Sequence, residues 1–150
     1  MELNLDFRQD NRRETERLRS LLALLKEEEL AYPLGNGWTV GTALAHLAFW
    51  DRQRLALLQR WGQSGVAPAH TDQDSINEAV KALAEALPPR RAAALALEAA
   101  VEMDRALEKL PPDLARAIAA GGHERVLRRS VHRKEHLDQI EAALKLHSRR

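Results

Sequence analysis

Residues 37–51, GWTVGTALAHLAFWD, contain the clearest fold signal in this sequence. Thr39 is a natural N-cap, so a helix is predicted to start directly after it and to continue to about Gln63. Apolar residues recur along one face at spacings of three and four, the period of an amphipathic helix: Val40, Ala43, Leu44, Leu47, Trp50, Leu58 and Trp61. This segment therefore predicts a helix that buries one face in a core.

Similar periodicity on both sides of this segment predicts further helices. Their expected ranges are about Leu5–Glu28, a shorter Asp74–Ala86, Pro89–Leu110 and Gly122–His147. The stretches YPLGNGW and GQSGVAPAHTDQD have the composition of loops, and DLARAIAAGG is only weakly defined. Amphipathic helices joined by short connections are typical of a bundle, so the predicted fold is all-α, a four-helix bundle with one additional short helix.

The composition limits the class of protein. A length of 150 residues fits a single domain, residues 1–150, and the many Leu and Ala residues favour helices. The chain has no Cys, which excludes a disulfide, a thiolate zinc site and a cysteine nucleophile. The N-terminus lacks the apolar stretch of a signal peptide, no run approaches a membrane span, and the net charge is +1. We therefore expect a cytoplasmic protein that binds neither membranes nor nucleic acid.

Three histidines form the candidate site. His132 and His136 are one helical turn apart and point the same way; on the last helix His136 lies on the inward side, about 40° from Ile140, and His132 lies at the edge of the apolar stripe. His46 borders the stripe of the second helix, about 40° from Trp50. Two imidazoles at this spacing, with a third from a facing helix, can hold one metal ion and leave one position open.

A simpler interpretation stays open, because a histidine at the edge of an apolar stripe is often a half-buried residue bonded to a carbonyl. A chance pair at this spacing is also common in a chain with six histidines. The other three, His70, His123 and His147, are expected on the surface or in loops.

The Gly-Trp-Thr entry before His46, together with the later HRKEHLDQIEAAL that contains His132 and His136, resembles the DinB-like superfamily. That superfamily includes the YfiT-like proteins and the N-terminal domain of mycothiol-dependent maleylpyruvate isomerase. The resemblance implies a four-helix bundle in which His46, His132 and His136 bind a divalent ion, commonly nickel or zinc. Where the family often has an acidic residue, this chain has Gly41 and Thr42, which predicts weaker capping of the second helix.

The resemblance also implies a reaction. Members with a known activity join a low-molecular-weight thiol to an electrophile, or isomerise a substrate through a thiol adduct. This implies a metal-dependent thiol S-transferase that acts on a small-molecule substrate, and a homodimer is plausible. A metal-dependent hydrolase and a non-catalytic metal- or ligand-binding stress-response bundle remain alternatives, and no catalytic residue is assigned.

Charged residues near the histidines allow two further hypotheses. Arg125, Arg128 and Arg129 precede His132 on the predicted last helix and could bind carboxylates of a thiol or of an acidic substrate, although a solvated basic face is the simpler interpretation. Asp51 and Arg54 could form a buried ion pair, or Asp51 could orient a ligand imidazole.

Overall fold

The computed structural model describes residues 6–70 and 72–148. Over these residues it has seven α-helices, one 3-10 turn at Glu28–Ala31 and two very short strands. The helices are α1 (Asp6–Leu24), α2 (Val40–Ser64), α3 (Gln73–Glu85), α4 (Pro89–Glu108), α5 (Pro112–Ala120), α6 (Glu124–Leu127) and α7 (Arg129–Ser148). The predicted all-α bundle is confirmed. Leu5, the predicted start of the first helix, lies outside the described residues.

The four long helices α1, α2, α4 and α7 form the bundle. Helix α2 packs against α4 and α7, and α1 packs against α4 and α7. Helix α3 lies along α2 and is the short helix that the sequence indicated. Helices α5 and α6 are further short helices, where the sequence indicated a weakly defined stretch and the start of the last helix.

The apolar core has two clusters. One contains Leu18, Leu44, Leu47, Leu137 and Ile140, and the other contains Phe7, Leu58, Trp61, Met103, Leu107 and Ile118. In α1, α2 and α7, buried polar residues separate the residues of one cluster from those of the other along the chain. They are Asn11, Thr15, Asp51, Arg129 and Arg133. The core is therefore divided by a layer that has to satisfy its own charges and hydrogen bonds.

The stretch predicted as a loop before α2 is instead a small antiparallel hairpin, with strands β1 (Pro33–Gly35) and β2 (Trp38–Thr39). Asn36 and Gly37 have φ values of 54° and 80°, the left-handed conformations that a tight turn requires. The hairpin leads directly into α2 and brings Trp38 beside His46, with ring centroids 5.4 Å apart.

The start of α2 is fully capped, so the predicted weakening was wrong. The Thr39 hydroxyl accepts a hydrogen bond from the Thr42 N–H at 3.2 Å, and the Thr42 hydroxyl accepts one from the Thr39 N–H at 2.8 Å. Thr42 thus takes the place of the usual acidic partner in a capping box. A Cβ at Gly41 would lie 3.0 Å from the Pro89 Cβ, so glycine allows α2 to approach the start of α4 closely.

The last helix is not continuous, contrary to the prediction of one helix over Gly122–His147. Arg128 leaves helical geometry with ψ of 69° and separates α6 from α7. The Asn11 side chain bonds both sides of this break: its amide N–H donates to the Leu127 carbonyl at 2.7 Å, and its amide oxygen accepts from the Ser130 N–H at 2.7 Å. A residue of α1 therefore satisfies the backbone groups that the break leaves without helical partners.

None of the helices within the described residues combines the length and the hydropathy needed to cross a membrane.

Candidate metal centre

The three histidines converge at one point between α2 and α7. The Nε2 atoms of His46 and His132 are 3.1 Å apart, and one ring nitrogen from each of the three residues lies within 4.8 Å of the others. His46 is buried, at 7% exposed, and His132 and His136 are half-buried. The capped start of α2 sets the position of His46, and the i, i+4 spacing along α7 places the other two on one face. Their role as metal ligands remains a prediction.

The other histidines lie elsewhere, as expected. His70 is exposed in the loop after α2. His123 precedes α6 and packs against Trp61, with ring centroids 4.9 Å apart, and His147 stacks on Tyr32 at 4.1 Å. Both are half-buried through these aromatic contacts.

Burial and neighbouring positive charge keep the three converging imidazoles neutral. Desolvation, with smaller contributions from His136 and Arg129, lowers the pKa of His46 to about 4. Desolvation and the Arg129 charge hold the pKa of His132 far below its usual range, and desolvation lowers the pKa of His136. Neutral imidazole is the form that binds a metal ion, so the three rings do not have to lose a net proton to bind one near pH 7.

The second ring nitrogen of each histidine shows how well the site fits an ion. The Nδ1 of His136 lies 3.1 Å from the Gln139 amide oxygen, which can only accept, so Nδ1–H donates and Nε2 keeps its lone pair. The Nδ1 of His46 is buried without a partner among the described residues. His132 differs, because its Nδ1 accepts from the Arg129 guanidinium at 3.2 Å.

The contact with Arg129 determines the tautomer of His132. A guanidinium only donates, so neutral His132 carries its proton on Nε2 and donates it toward His46. Binding of an ion at that Nε2 would move the proton to Nδ1 and require Arg129 to withdraw. The donor set itself, three neutral imidazoles, suits zinc, nickel or a similar divalent ion. The residues thus fit a divalent ion once this one contact is exchanged.

Asp51 has different partners from those that the sequence suggested. Its carboxylate accepts from Arg129 at 2.8 Å and from Arg133 at 3.1 Å, so the hypothesis of a pair with Arg54 was wrong. Within the described residues, the Asp51 carboxylate forms no hydrogen bond with a histidine imidazole. Asp51 binds Arg129, and Arg129 contacts His132. Asp51 therefore influences a candidate ligand histidine through Arg129 and not by the predicted direct contact.

Arg133 completes this buried charge layer. It is 1% exposed and donates to Asp104 at 2.8 Å, to Thr15 at 2.9 Å and to the Asn11 carbonyl at 3.1 Å. Two arginines and two aspartates thus meet in the core with balanced charge. This layer joins α1, α2, α4 and α7, and its Arg129 contacts His132.

Two cavities of about 290 Å³ each adjoin the histidines. The first, which we name the arginine cavity, is lined by His46, Trp50, Arg54, Gln73, Asn77, Arg125, Arg128, Arg129, His132, Glu135 and His136. The second, the hairpin cavity, is lined by Leu34, Gly35, Asn36, Trp38, Ala43, His46, Asn77, His136 and Gln139. His46, Asn77 and His136 belong to both, so the two cavities meet at the candidate metal centre.

The arginines around the site differ from expectation. Arg129 is 3% exposed and ion-paired, so it is not part of a solvated face, and the break at Arg128 means that Arg125 does not share a helix with His132. All three still line the arginine cavity. Sequence reasoning missed Arg54 as a cavity residue. Its guanidinium lies over the Trp50 ring at 5.0 Å, a contact that i, i+4 spacing allows.

Asn77 was also missed. Its side-chain oxygen accepts from the Trp50 indole N–H at 2.9 Å, which ties α3 to the site. No local pattern in α3 pointed to it, because its partner is on another helix.

Comparison with known protein families identifies the family of this chain. Residues 11–134 match the family model described as the mycothiol maleylpyruvate isomerase N-terminal domain. The matched range includes His46 and His132 and ends two residues before His136. No curated protein and no solved structure matches the chain.

Proposed function

Because the chain belongs to the mycothiol maleylpyruvate isomerase N-terminal domain family, a branch of the DinB-like superfamily, we propose that residues 1–150 form one metal-dependent enzyme domain. Its proposed activity is to activate a low-molecular-weight thiol and to transfer it to a small electrophile. The observation that carries this proposal is the convergence of three neutral imidazoles at the junction of two cavities.

The histidines would hold the ion, with zinc or nickel as the metals that their donor set suits. A divalent ion there supplies Lewis acidity, which lowers the pKa of a thiol or water that it binds. Because the chain has no Cys, the thiol has to come from a cosubstrate.

The neighbouring side chains orient the histidines. The rings of Trp38 and Trp50 both lie edge-on to His46, with ring centroids 5.4 Å and 6.4 Å from it. Gln139 holds the proton of His136 on Nδ1. This leaves the Nε2 of His136 unprotonated, whereas the Nε2 atoms of His46 and His132 share a hydrogen bond that an ion would have to replace.

The presence of two cavities favours transfer over hydrolysis. A transferase has to bring a nucleophile and an electrophile together in one complex, whereas a hydrolase needs room for one substrate and a water molecule. The arginine cavity and the hairpin cavity have similar volumes and meet at the same histidines. Each is large enough for a small molecule or part of one.

The experiment is a turnover assay. Protein without a His-tag is loaded with Zn²⁺ or Ni²⁺ and incubated with mycothiol, bacillithiol, coenzyme A or glutathione and a model electrophile. We expect one thiol to form adduct at least ten times faster than with His132→Ala, while His70→Ala, in the exposed loop, retains wild-type activity. Equal rates in wild type and His132→Ala with every thiol would contradict the proposal. Hydrolysis of an ester panel by wild type alone would replace it with a hydrolase.

A further inference from the structure

Among the residues that the structure describes, the lining of the arginine cavity has more positive than negative charge. Among the described residues, the arginines that bond neither a carboxylate nor a backbone carbonyl are Arg54, Arg60, Arg105, Arg125 and Arg128. Arg54, Arg125 and Arg128 line this cavity, together with a single acidic side chain, Glu135. Asp51, the nearest buried carboxylate, is already bonded to Arg129 and Arg133.

Arg54 is the most constrained of these groups. It is half-buried, its guanidinium lies over Trp50, and its Nε–H is buried without an acceptor among residues 6–70 and 72–148. Within the described part of the chain, its one hydrogen bond is from Nη1 to the Gln53 side-chain oxygen at 2.7 Å. Burial and the charges of Arg129 and Arg125 lower the pKa of Arg54, and the opposing Asp51 charge offsets this only in part. A buried donor without a partner is costly, and an anionic ligand would satisfy it.

The shape of the site selects the kind of anion. A guanidinium stacked on an indole presents its N–H groups in one plane, which matches the two oxygens of a carboxylate. The cavity, at about 290 Å³, is at the small end of ligand pockets. His132 and His136 line the same cavity as Arg54, so a ligand held at Arg54 by one end is in the same space as the histidines.

We propose that the arginine cavity is a carboxylate-binding site, in which Arg54 and Arg128 hold a small carboxylate-bearing reactant and direct its reactive end to the three histidines. That the bound molecule reacts at the histidines rests on the proposed function, but binding of its carboxylate does not require a metal. The carboxylate belongs either to the thiol or to the electrophile, and the two sources are distinguished by the probes below.

The test is calorimetric titration of metal-free protein, so that no ion can bind the carboxylate. The probes are S-methylglutathione, which represents a carboxylate-bearing thiol with its sulfur blocked, and succinate, which contains no sulfur. Their uncharged counterparts are N-acetyl-S-methylglutathione dimethyl ester, in which acetylation also removes the ammonium charge, and succinamide. The variants are Arg54→Met and Arg128→Met, and Arg60→Met is the matched control, because Arg60 is an exposed, unpaired residue of the same helix as Arg54 and does not line the cavity.

We expect at least one carboxylate probe to bind wild type and Arg60→Met with equal affinity, and its dissociation constant to rise about tenfold in each of Arg54→Met and Arg128→Met. The uncharged counterparts should bind at least tenfold more weakly. Binding of S-methylglutathione assigns the carboxylate to the thiol, and binding of succinate alone assigns it to the electrophile.

Equal affinity in Arg54→Met and Arg60→Met, equal affinity for charged and uncharged probes, or no binding of either carboxylate to wild type would overturn the inference. Its failure is separable from that of the proposed function. Thiol transfer by a protein that binds no carboxylate would overturn only this inference, whereas carboxylate binding by a protein without metal-dependent turnover would contradict only the proposed function.

Discussion

Replacing Asp51 with Asn is expected to destabilise the protein strongly while changing almost no volume. Asp51 is 2% exposed and is bonded to both Arg129 and Arg133, which are 3% and 1% exposed. The substitution leaves two buried arginines facing one buried carboxylate, that of Asp104. Removal of one partner from a buried ion pair costs about 3–5 kcal/mol, because the remaining charge is desolvated without compensation. That is a large part of the stability of a typical domain.

The assay is urea unfolding followed by circular dichroism, with Glu102→Gln as the matched control. Glu102 also pairs with an arginine, Arg52, but both side chains are more than 40% exposed, so this substitution should cost less than about 1 kcal/mol. A double variant, Asp51→Asn with Arg129→Met, removes one charge of each sign and should lose less free energy of unfolding than the sum of the two single variants. A loss for Asp51→Asn as small as that of Glu102→Gln would refute the buried charge layer.

Two further predictions concern the α6–α7 break and the pH dependence. Asn11→Ala removes both hydrogen bonds that span the break and leaves a buried carbonyl and N–H unpaired, so the free energy of unfolding should fall by about 2–4 kcal/mol; a loss below 1 kcal/mol in urea unfolding would show that the break does not depend on Asn11. In metal-free protein, the pKa of His46 is about 4 when folded and 6.5 in the unfolded reference, so the unfolded state binds more protons between these values and stability falls as the pH falls. From pH 7 to pH 4 this one residue should lower the free energy of unfolding by about 3 kcal/mol, so wild type should lose about that much more than His46→Gln, and equal losses would contradict a buried neutral His46.

Local patterns in the sequence were sufficient for the main helices and for the convergence of the histidines. Helical periodicity depends on neighbouring residues. It predicted the helix faces that carry His46 in α2 and the i, i+4 pair in α7, and the structure brings these faces together. Asn36-Gly37 is also a local turn signal, and it could have indicated the hairpin that was predicted as a loop.

The remaining features depend on contacts between residues far apart in the chain. Asn11 bonds the backbone groups on both sides of the break at Arg128. The partners of Asp51 are in α7 and not one turn away in α2. Arg54, which is not paired with Asp51, lies over Trp50 and lines the arginine cavity. Such pairings follow from the packing of the helices, which periodicity along one helix does not specify.

The central claim is that His46, His132 and His136 hold one divalent ion. It is tested most directly by calorimetric titration of Zn²⁺ or Ni²⁺ into tag-free, chelator-treated protein, with His136→Ala as the test variant and His70→Ala as the control. We predict one ion per wild-type chain, unchanged binding by His70→Ala, and loss of that binding in His136→Ala. At about 100 times the Kd, the ion should stabilise wild type by roughly 2.7 kcal/mol. Equal binding by wild type and His136→Ala, or no binding by wild type, would contradict the account.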